Sequence, residues 1–136
     1  MASGVTEQKI REHAKRFRRC LEELHSELGI VFKSFPDYAC ADSSHLLGEW
    51  LTEQGVSGLE YVCGEIQGHA WLELDGLIID ITLDQFEGHT EKVYVSEDRS
   101  FHSKYGELFR QQHLLEDPIK SHYQLCKEWM QANSAS

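Results

Sequence analysis

Apolar residues return at steps of three and four through the first part of the chain, at Ile10, Ala14, Phe17, Leu21, Leu24 and Leu28. That spacing draws one apolar stripe along a helix and predicts an amphipathic helix over 6–28, with Gly29 as its stop. A short apolar piece, Ile30-Val31-Phe32, leads into a loop through Ser34-Phe35-Pro36-Asp37-Tyr38. Helical spacing resumes from Cys40 to Gln54, with Leu47, Trp50 and Leu51 on the inner side and Gly55 after it. Tyr61 to Ile66 reads as a strand, and 68–82 reads as one hairpin. The stretch from Asp84 to Lys104 is mixed, with one further strand expected at Lys92-Val93-Tyr94-Val95. A last helix is expected from Asp117 as N-cap and Pro118 in the first turn to about Met130, with the tail from Ala132 to Ser136 frayed.

The hairpin, GHAWLELDGLIIDIT, can be read residue by residue. Asp75-Gly76 is a two-residue turn signal, because both central positions of a type I′ turn take positive φ. Leu74 then stands opposite Leu77, Trp71 opposite Asp80 and His69 opposite Thr82. Side chains alternate across a strand, so Ala70, Leu72, Leu74, Leu77, Ile79 and Ile81 share one wholly apolar face, which belongs to the core. The other face carries His69, Trp71 and Glu73 beside Ile78, Asp80 and Thr82. His69 and Asp80 become diagonal neighbours with Cβ atoms roughly 7–8 Å apart or less, within reach of an imidazole–carboxylate hydrogen bond. Taken alone, such a pair also has a plain structural use, satisfying itself on a sheet surface.

Cys40 changes the weight of that pair. A thiol at a helix N-terminus has its thiolate stabilised by the helix dipole and by backbone N–H groups without intrahelical partners. A neighbouring imidazolium arms it further as a nucleophile, and the Cys40 amide is placed to hold an oxyanion. Asp80 would orient the ring and stabilise its charged form. The plain alternative for Cys40 is a small buried apolar residue. Cys20 lies mid-helix, Cys63 inside a strand and Cys126 in the last helix, so none of them has this setting.

At 136 residues the chain is expected to form one domain, 1–136, with helices on a small antiparallel sheet, an α+β fold. A net charge of −10 argues against nucleic acid, which needs a basic surface. The cations that exist gather at Lys9, Arg11, Lys15, Arg16, Arg18 and Arg19, read as a solvated helix face. No run has the length of a membrane span or of a signal-peptide core, so no membrane partner is expected and the expected compartment is the cytoplasm. The four cysteines are irregularly spaced with no CxxC pair, which favours free thiols over disulfides or zinc. No metal or organic cofactor is expected.

The order of Cys at a helix start, His-Ala-Trp on a strand and Asp on the next strand resembles the papain-like superfamily in its transglutaminase-like arrangement. FPDYACADSSHLLGEWL, GHAWLEL and GLIIDIT carry the resemblance, which covers roughly 34–86. HAWLELDG is similar to the corresponding stretch of transglutaminase-like peptidases, including those that process lasso peptides. IIDITLDQF is similar to papain-fold toxin and effector domains, some of which deamidate glutamine. The resemblance implies a Cys40–His69–Asp80 triad acting on an amide or thioester through an acyl-enzyme, with a protein or peptide as substrate. It is also compatible with delivery into another cell.

The chain departs from the family in one respect. Papain-type enzymes place an oxyanion Gln upstream of the cysteine, and none stands close before Cys40: Gln8 is distant, while Gln85 follows Asp80 and could reach the site from behind. Trp71 either walls the site or lies beneath the Cys40 helix. Asp84 is read as a turn residue, Ser43, Ser44 and His45 as helix surface or packing, and His89, His102, His113 and His122 as surface. The expected activity is a thiol hydrolase, a peptidase or a glutamine deamidase. The alternatives are a papain-fold binding module without chemistry and an acyltransferase using the same triad.

Overall fold

The computed structural model describes residues 7–65 and 68–133. Three α-helices, α1 (Glu7–Leu24), α2 (Cys40–Glu53) and α3 (Ile119–Ala132), lie with a five-stranded antiparallel sheet. Its strands are β1 (Glu60–Gly64), β2 (Ala70–Leu74), β3 (Leu77–Asp80), β4 (Tyr94–Ser96) and β5 (Leu108–Gln111), in the order β4-β3-β2-β1-β5. The fold is α+β. Among the described residues no helix is long and apolar enough to cross a membrane.

The hairpin has the register that its turn demands. Asp75 and Gly76 both take positive φ, 50° and 85°, and Leu74, Glu73 and Leu72 pair with Leu77, Ile78 and Ile79. Ala70, Leu72, Leu74, Leu77, Ile79 and Ile81 accordingly enter one large core with Ile10, Ala14, Phe17 and Leu21 of α1 and Leu46, Leu47, Trp50 and Leu51 of α2. Helix α3 adds Ile119, Tyr123, Cys126 and Met130.

The opposite face is not a sheet surface. Every residue of β2 and β3 is buried. The long connection after β3 folds back over this face, and Phe86, Phe101 and Tyr105 close over a second, smaller cluster around Val62, Trp71 and Ile78. This covering layer puts the polar residues of the far face, His69, Glu73, Asp80 and Thr82, out of water. An alternating strand tells which residues share a face, but not whether a later loop covers the polar one.

Several boundaries differ from the expected ones. Helix α1 stops at Leu24 and tightens into a 3₁₀ turn, His25–Glu27, before Gly29. Pro118, not Asp117, occupies the cap position of α3, and the Asp117 carboxylate accepts the Ser121 hydroxyl at 2.9 Å. The strand expected at Lys92 begins at Tyr94, and β5 is an addition, paired with β1 from Tyr61–Gln111 to Gly64–Leu108. The expected extension of β1 to Ile66, the start of α1 at Thr6 and the end of the tail lie outside the described residues.

Arg18 corrects the solvated reading of the cationic helix face. It is 4% exposed, and its guanidinium grips both Asp84 carboxylate oxygens at 2.7 and 2.8 Å and the Ile81 carbonyl at 2.8 Å. Asp84 is therefore not simply a turn residue. A two-pronged pair with an extra carbonyl acceptor supplies the satisfaction that a buried guanidinium needs. It fastens α1 to the chain just beyond Asp80.

Candidate active site

Cys40 is the first residue of α2. Tyr38, in the left-handed region at φ 67°, turns the chain into the helix, and the Ser43 amide makes its bond to the Ala39 carbonyl at 2.9 Å. Among the described residues no side chain caps this end. First-turn amides of a helix lack intrahelical acceptors, so the N-terminus of α2 keeps N–H donors beside the thiol.

Helix α2 runs along β2 in step with it. The Cys40 sulfur lies 3.8 Å from the Gly68 carbonyl oxygen, and one turn later the Ser44 hydroxyl lies 3.5 Å from the Ala70 carbonyl. Four helical residues advance about 6 Å and two strand residues about 6.7 Å, so the two contacts repeat without strain. Leu47 and Leu51 of the same helix are buried in the core, and Cys40 is half-buried at the end of the strand.

His69 precedes β2, and its carbonyl accepts the Gly64 amide at 2.9 Å, which prolongs the β1–β2 ladder to it. Its Nε2 lies 2.7 Å from Asp80 Oδ2, with both side chains sealed from solvent. The parity of the hairpin thus brings together the two polar residues that it placed on one face. Phe86 meets the ring edge-on at 4.8 Å, and Trp71 and Tyr105 flank it at 5.4 Å.

Burial alone would lower the His69 pKa. The Asp80 charge and hydrogen bond outweigh it, with a further contribution from Cys40, and the imidazole is pushed up to about 9. Burial would likewise raise the Asp80 pKa, but the His69 charge and the hydrogen bonds from His102 and His69 hold its carboxyl well below the usual range. With Nε2–H given to Asp80, Nδ1 is the nitrogen left to face a reacting group. It has no partner at ordinary hydrogen-bond length among the described residues, while Cys40 also acts to hold the ring's proton.

The fourth member was missed by sequence reasoning. His102, expected at the surface, is 1% exposed, and its Nε2 lies 2.8 Å from the same Asp80 oxygen that binds His69. It arrives on a 3₁₀ turn, His102–Tyr105, of the covering layer. That segment has no helical or alternating period to reveal an inward side chain. The available signal was the run of aromatic rings around it, Phe101 and Tyr105, which must cover something.

The other candidates fall elsewhere. Trp71 is wholly buried on the face away from α2, so it neither walls an open cleft nor lies beneath the Cys40 helix; its indole N–H donates to Glu73 at 2.9 Å. Gln85 donates its side-chain amide to the Thr82 carbonyl at 3.0 Å and is engaged there, behind Asp80. His45 is packing: it stacks on Tyr61 at 4.1 Å and accepts the Leu114 amide at 3.0 Å. Burial, assisted by the charge of His113, depresses its pKa to about 4, in keeping with that acceptor role.

His69, Asp80 and His102 also form a set of three potential metal ligands, with their donor atoms within 4.8 Å of one another. Asp80 Oδ2 is 2.7 and 2.8 Å from the two imidazole nitrogens. A tetrahedral zinc bonded at its usual lengths keeps such ligands about 3.3 Å apart. The three atoms are therefore spaced as two N–H donors on one acceptor, not as a metal cage. No protein-family model, curated protein or solved structure matches the chain.

Proposed function

We propose that this chain is a cysteine-dependent amide hydrolase of the papain-like, transglutaminase-like kind, a peptidase or glutamine deamidase acting on a protein or peptide. One observation carries the proposal: a half-exposed thiol at an uncapped helix N-terminus, interacting with an imidazole whose far nitrogen is bound to a buried carboxylate. The Cys40 thiolate attacks the carbonyl carbon, and the oxygen takes the electron pair of the C=O bond. The Cys40 amide donates to that oxyanion. As the C–N bond breaks, His69 hands its proton to the leaving amine or ammonia, leaving a thioester on Cys40. Water then loses a proton to His69 and attacks the thioester. The products are a carboxylic acid and the restored thiolate–imidazolium pair, with Asp80 holding the ring in its working orientation.

The chemistry needs a reduced thiol and so belongs in a reducing compartment such as the cytoplasm, of the protein's own cell or of one into which it is delivered. If an amine instead of water intercepts the thioester, the same triad performs acyl transfer. One observation favours a non-catalytic papain-fold binding module: Gln85, the side-chain amide proposed for the oxyanion, is committed to Thr82.

4-Nitrophenyl acetate is the probe that separates these readings, since it acylates an armed thiol regardless of natural substrate. A burst of one nitrophenolate per chain, with an acetyl group found by mass spectrometry on Cys40 and absent in Cys40→Ser and His69→Ala, supports the hydrolase. Acetylation no faster at Cys40 than at Cys63 sinks it in favour of the binding module. An N-acetylated product formed from an added alkylamine in the wild-type chain and not in Cys40→Ser identifies acyl transfer to amines.

A further inference from the structure

His102 has a second use beyond filling the covering layer. The Asp80 carboxylate is held at four points. Oδ1 accepts the Thr82 backbone amide at 3.0 Å and lies 3.5 Å from the Thr82 hydroxyl. Oδ2 accepts from His69 at 2.7 Å and from His102 at 2.8 Å. Thr82 alone leaves the carboxylate free to swing its other oxygen about the Oδ1 contact. A donor from His102 on that other oxygen removes the remaining freedom. His102 is itself fixed, edge-on to Trp71 at 4.7 Å and against Tyr94 at 5.3 Å.

We infer that His102 is a positioning residue, which pins the Asp80 oxygen on His69 and thereby aims the His69 ring at Cys40. The inference rests on the amide-hydrolase reading only for its consequence at the thiol; the clamp on His69 stands without it. His102 touches no reacting atom and acts through Asp80. A misplacement of about 1 Å in such a relay is enough to cost a large factor in rate, because proton transfer falls off steeply with misalignment. Among the described residues, Cys40 from α2, Tyr105 from the same 3₁₀ turn as His102 and Tyr94 from β4 pack around the pair, and Lys104 and His89 lie on the outer side of the Phe86 and Phe101 rings that cover it.

The test uses the whole chain and two readouts. Cys40 alkylation by iodoacetamide is followed site by site across pH, and the His69 ring is titrated by ¹H–¹⁵N NMR. In His102→Phe, which keeps an aromatic ring and removes the donor, Cys40 alkylation near neutral pH is expected to slow about tenfold, the low end of what losing an outer hydrogen-bond partner costs at metal sites. The His69 midpoint is expected to fall from about 9. His102→Gln, which restores an N–H donor at similar reach, is expected to recover most of both.

Should the phenylalanine variant fail to fold, His102→Met, a flexible side chain with no N–H donor, is read in its place. An unchanged pH profile and midpoint in a folded donor-less variant overturns the inference, as does a glutamine variant no better than phenylalanine. If Cys40 in the unmodified chain reacts no faster than Cys63, the hydrolase reading fails instead. The His69 midpoint then decides the role of His102 by itself.

Discussion

His69 Nε2 and Asp80 Oδ2 meet at 2.7 Å with both side chains closed to solvent, so their proton balance is also a term in the stability of the fold. His69 is raised from 6.5 to about 9. Its contribution is fully present below its unfolded-state value and is lost as pH rises toward and through about 9. Asp80 is depressed, so its contribution is present above the ordinary carboxylate value near 3.8 and is lost as pH falls below it. Melting temperature should hold a plateau between about pH 4 and 6.5 and decline toward pH 9. In His69→Gln the alkaline decline should flatten. A parallel decline in that variant assigns the loss to other groups.

The four thiols should separate by setting. Cys20 and Cys126 are wholly buried between α1 and α3, and Cys63 is partly buried with its pKa raised, chiefly by burial. Cys40 alone combines access with a helix N-terminus and an imidazole. Mass spectrometry after brief iodoacetamide treatment at about pH 6.5 should find label on Cys40 first, and His69→Ala should erase that preference. Equal labelling of Cys40 and Cys63 contradicts the armed-thiol reading.

Asp80→Asn should separate chemistry from folding. The amide can still contact His69, but it favours the wrong tautomer, and loss of about 10³–10⁴-fold in Cys40-dependent turnover is expected. Asp80→Ala instead leaves two imidazoles buried without their acceptor and should cost about 3–5 kcal/mol of stability. The two variants are compared by acylation burst and by urea unfolding. Equal stability losses would mean that an uncharged acceptor cannot stand in for the carboxylate, so that chemistry and folding do not separate at this position.

The hairpin was legible because its information is local. One Asp-Gly turn sets the register, and register sets parity, which carries both His69 and Asp80 to one face. Cys40 was legible because a loop and a helical period meet at it. His102 was not, since it stands 22 residues from Asp80 on a turn without a period. Strand β5 was not either: it is a short edge strand, largely exposed, so no apolar alternation marks it. Arg18 could have been found. It sits four residues after Ala14 and three before Leu21, on the apolar stripe itself, and a cation in such a stripe calls for a buried partner.

Glu73 offers a contrast between the two sides of one ion pair. It is 2% exposed and takes the Trp71 indole, Arg99 and Arg110, the last at 2.8 Å. Burial would raise its pKa, but these donors together lower it. Glu73→Ala leaves a buried indole N–H and two guanidinium groups without their acceptor and should cost about 3 kcal/mol in urea unfolding. Arg99→Ala removes a partner that is itself partly in water, with Arg110 and Trp71 still holding the carboxylate. It should cost no more than about 1 kcal/mol. Comparable losses in the two variants would show that Arg99 carries the pair.

Gly64 is a glycine for want of room. A Cβ there would stand 2.5 Å from the Tyr105 Cβ and 3.2 Å from the Tyr105 carbonyl oxygen, closer than atoms can settle. The contact seats Tyr105 against β1, which brings its ring beside His69 and Trp71. Neither backbone can yield without disturbing the β1–β5 ladder, where Gly64 pairs with Leu108, or the turn that carries His102. Gly64→Ala should therefore destabilise by about 1–3 kcal/mol through overpacking. It should also slow Cys40 alkylation, because a shifted Tyr105 moves the turn that supports Asp80. Tyr105→Gly in the same chain, which takes away the Cβ that Gly64→Ala would meet at 2.5 Å, should relieve most of the clash, so the two losses together should be smaller than their sum. If the losses of Gly64→Ala and Tyr105→Gly simply add in the double variant, the two residues do not meet in the way that this distance requires.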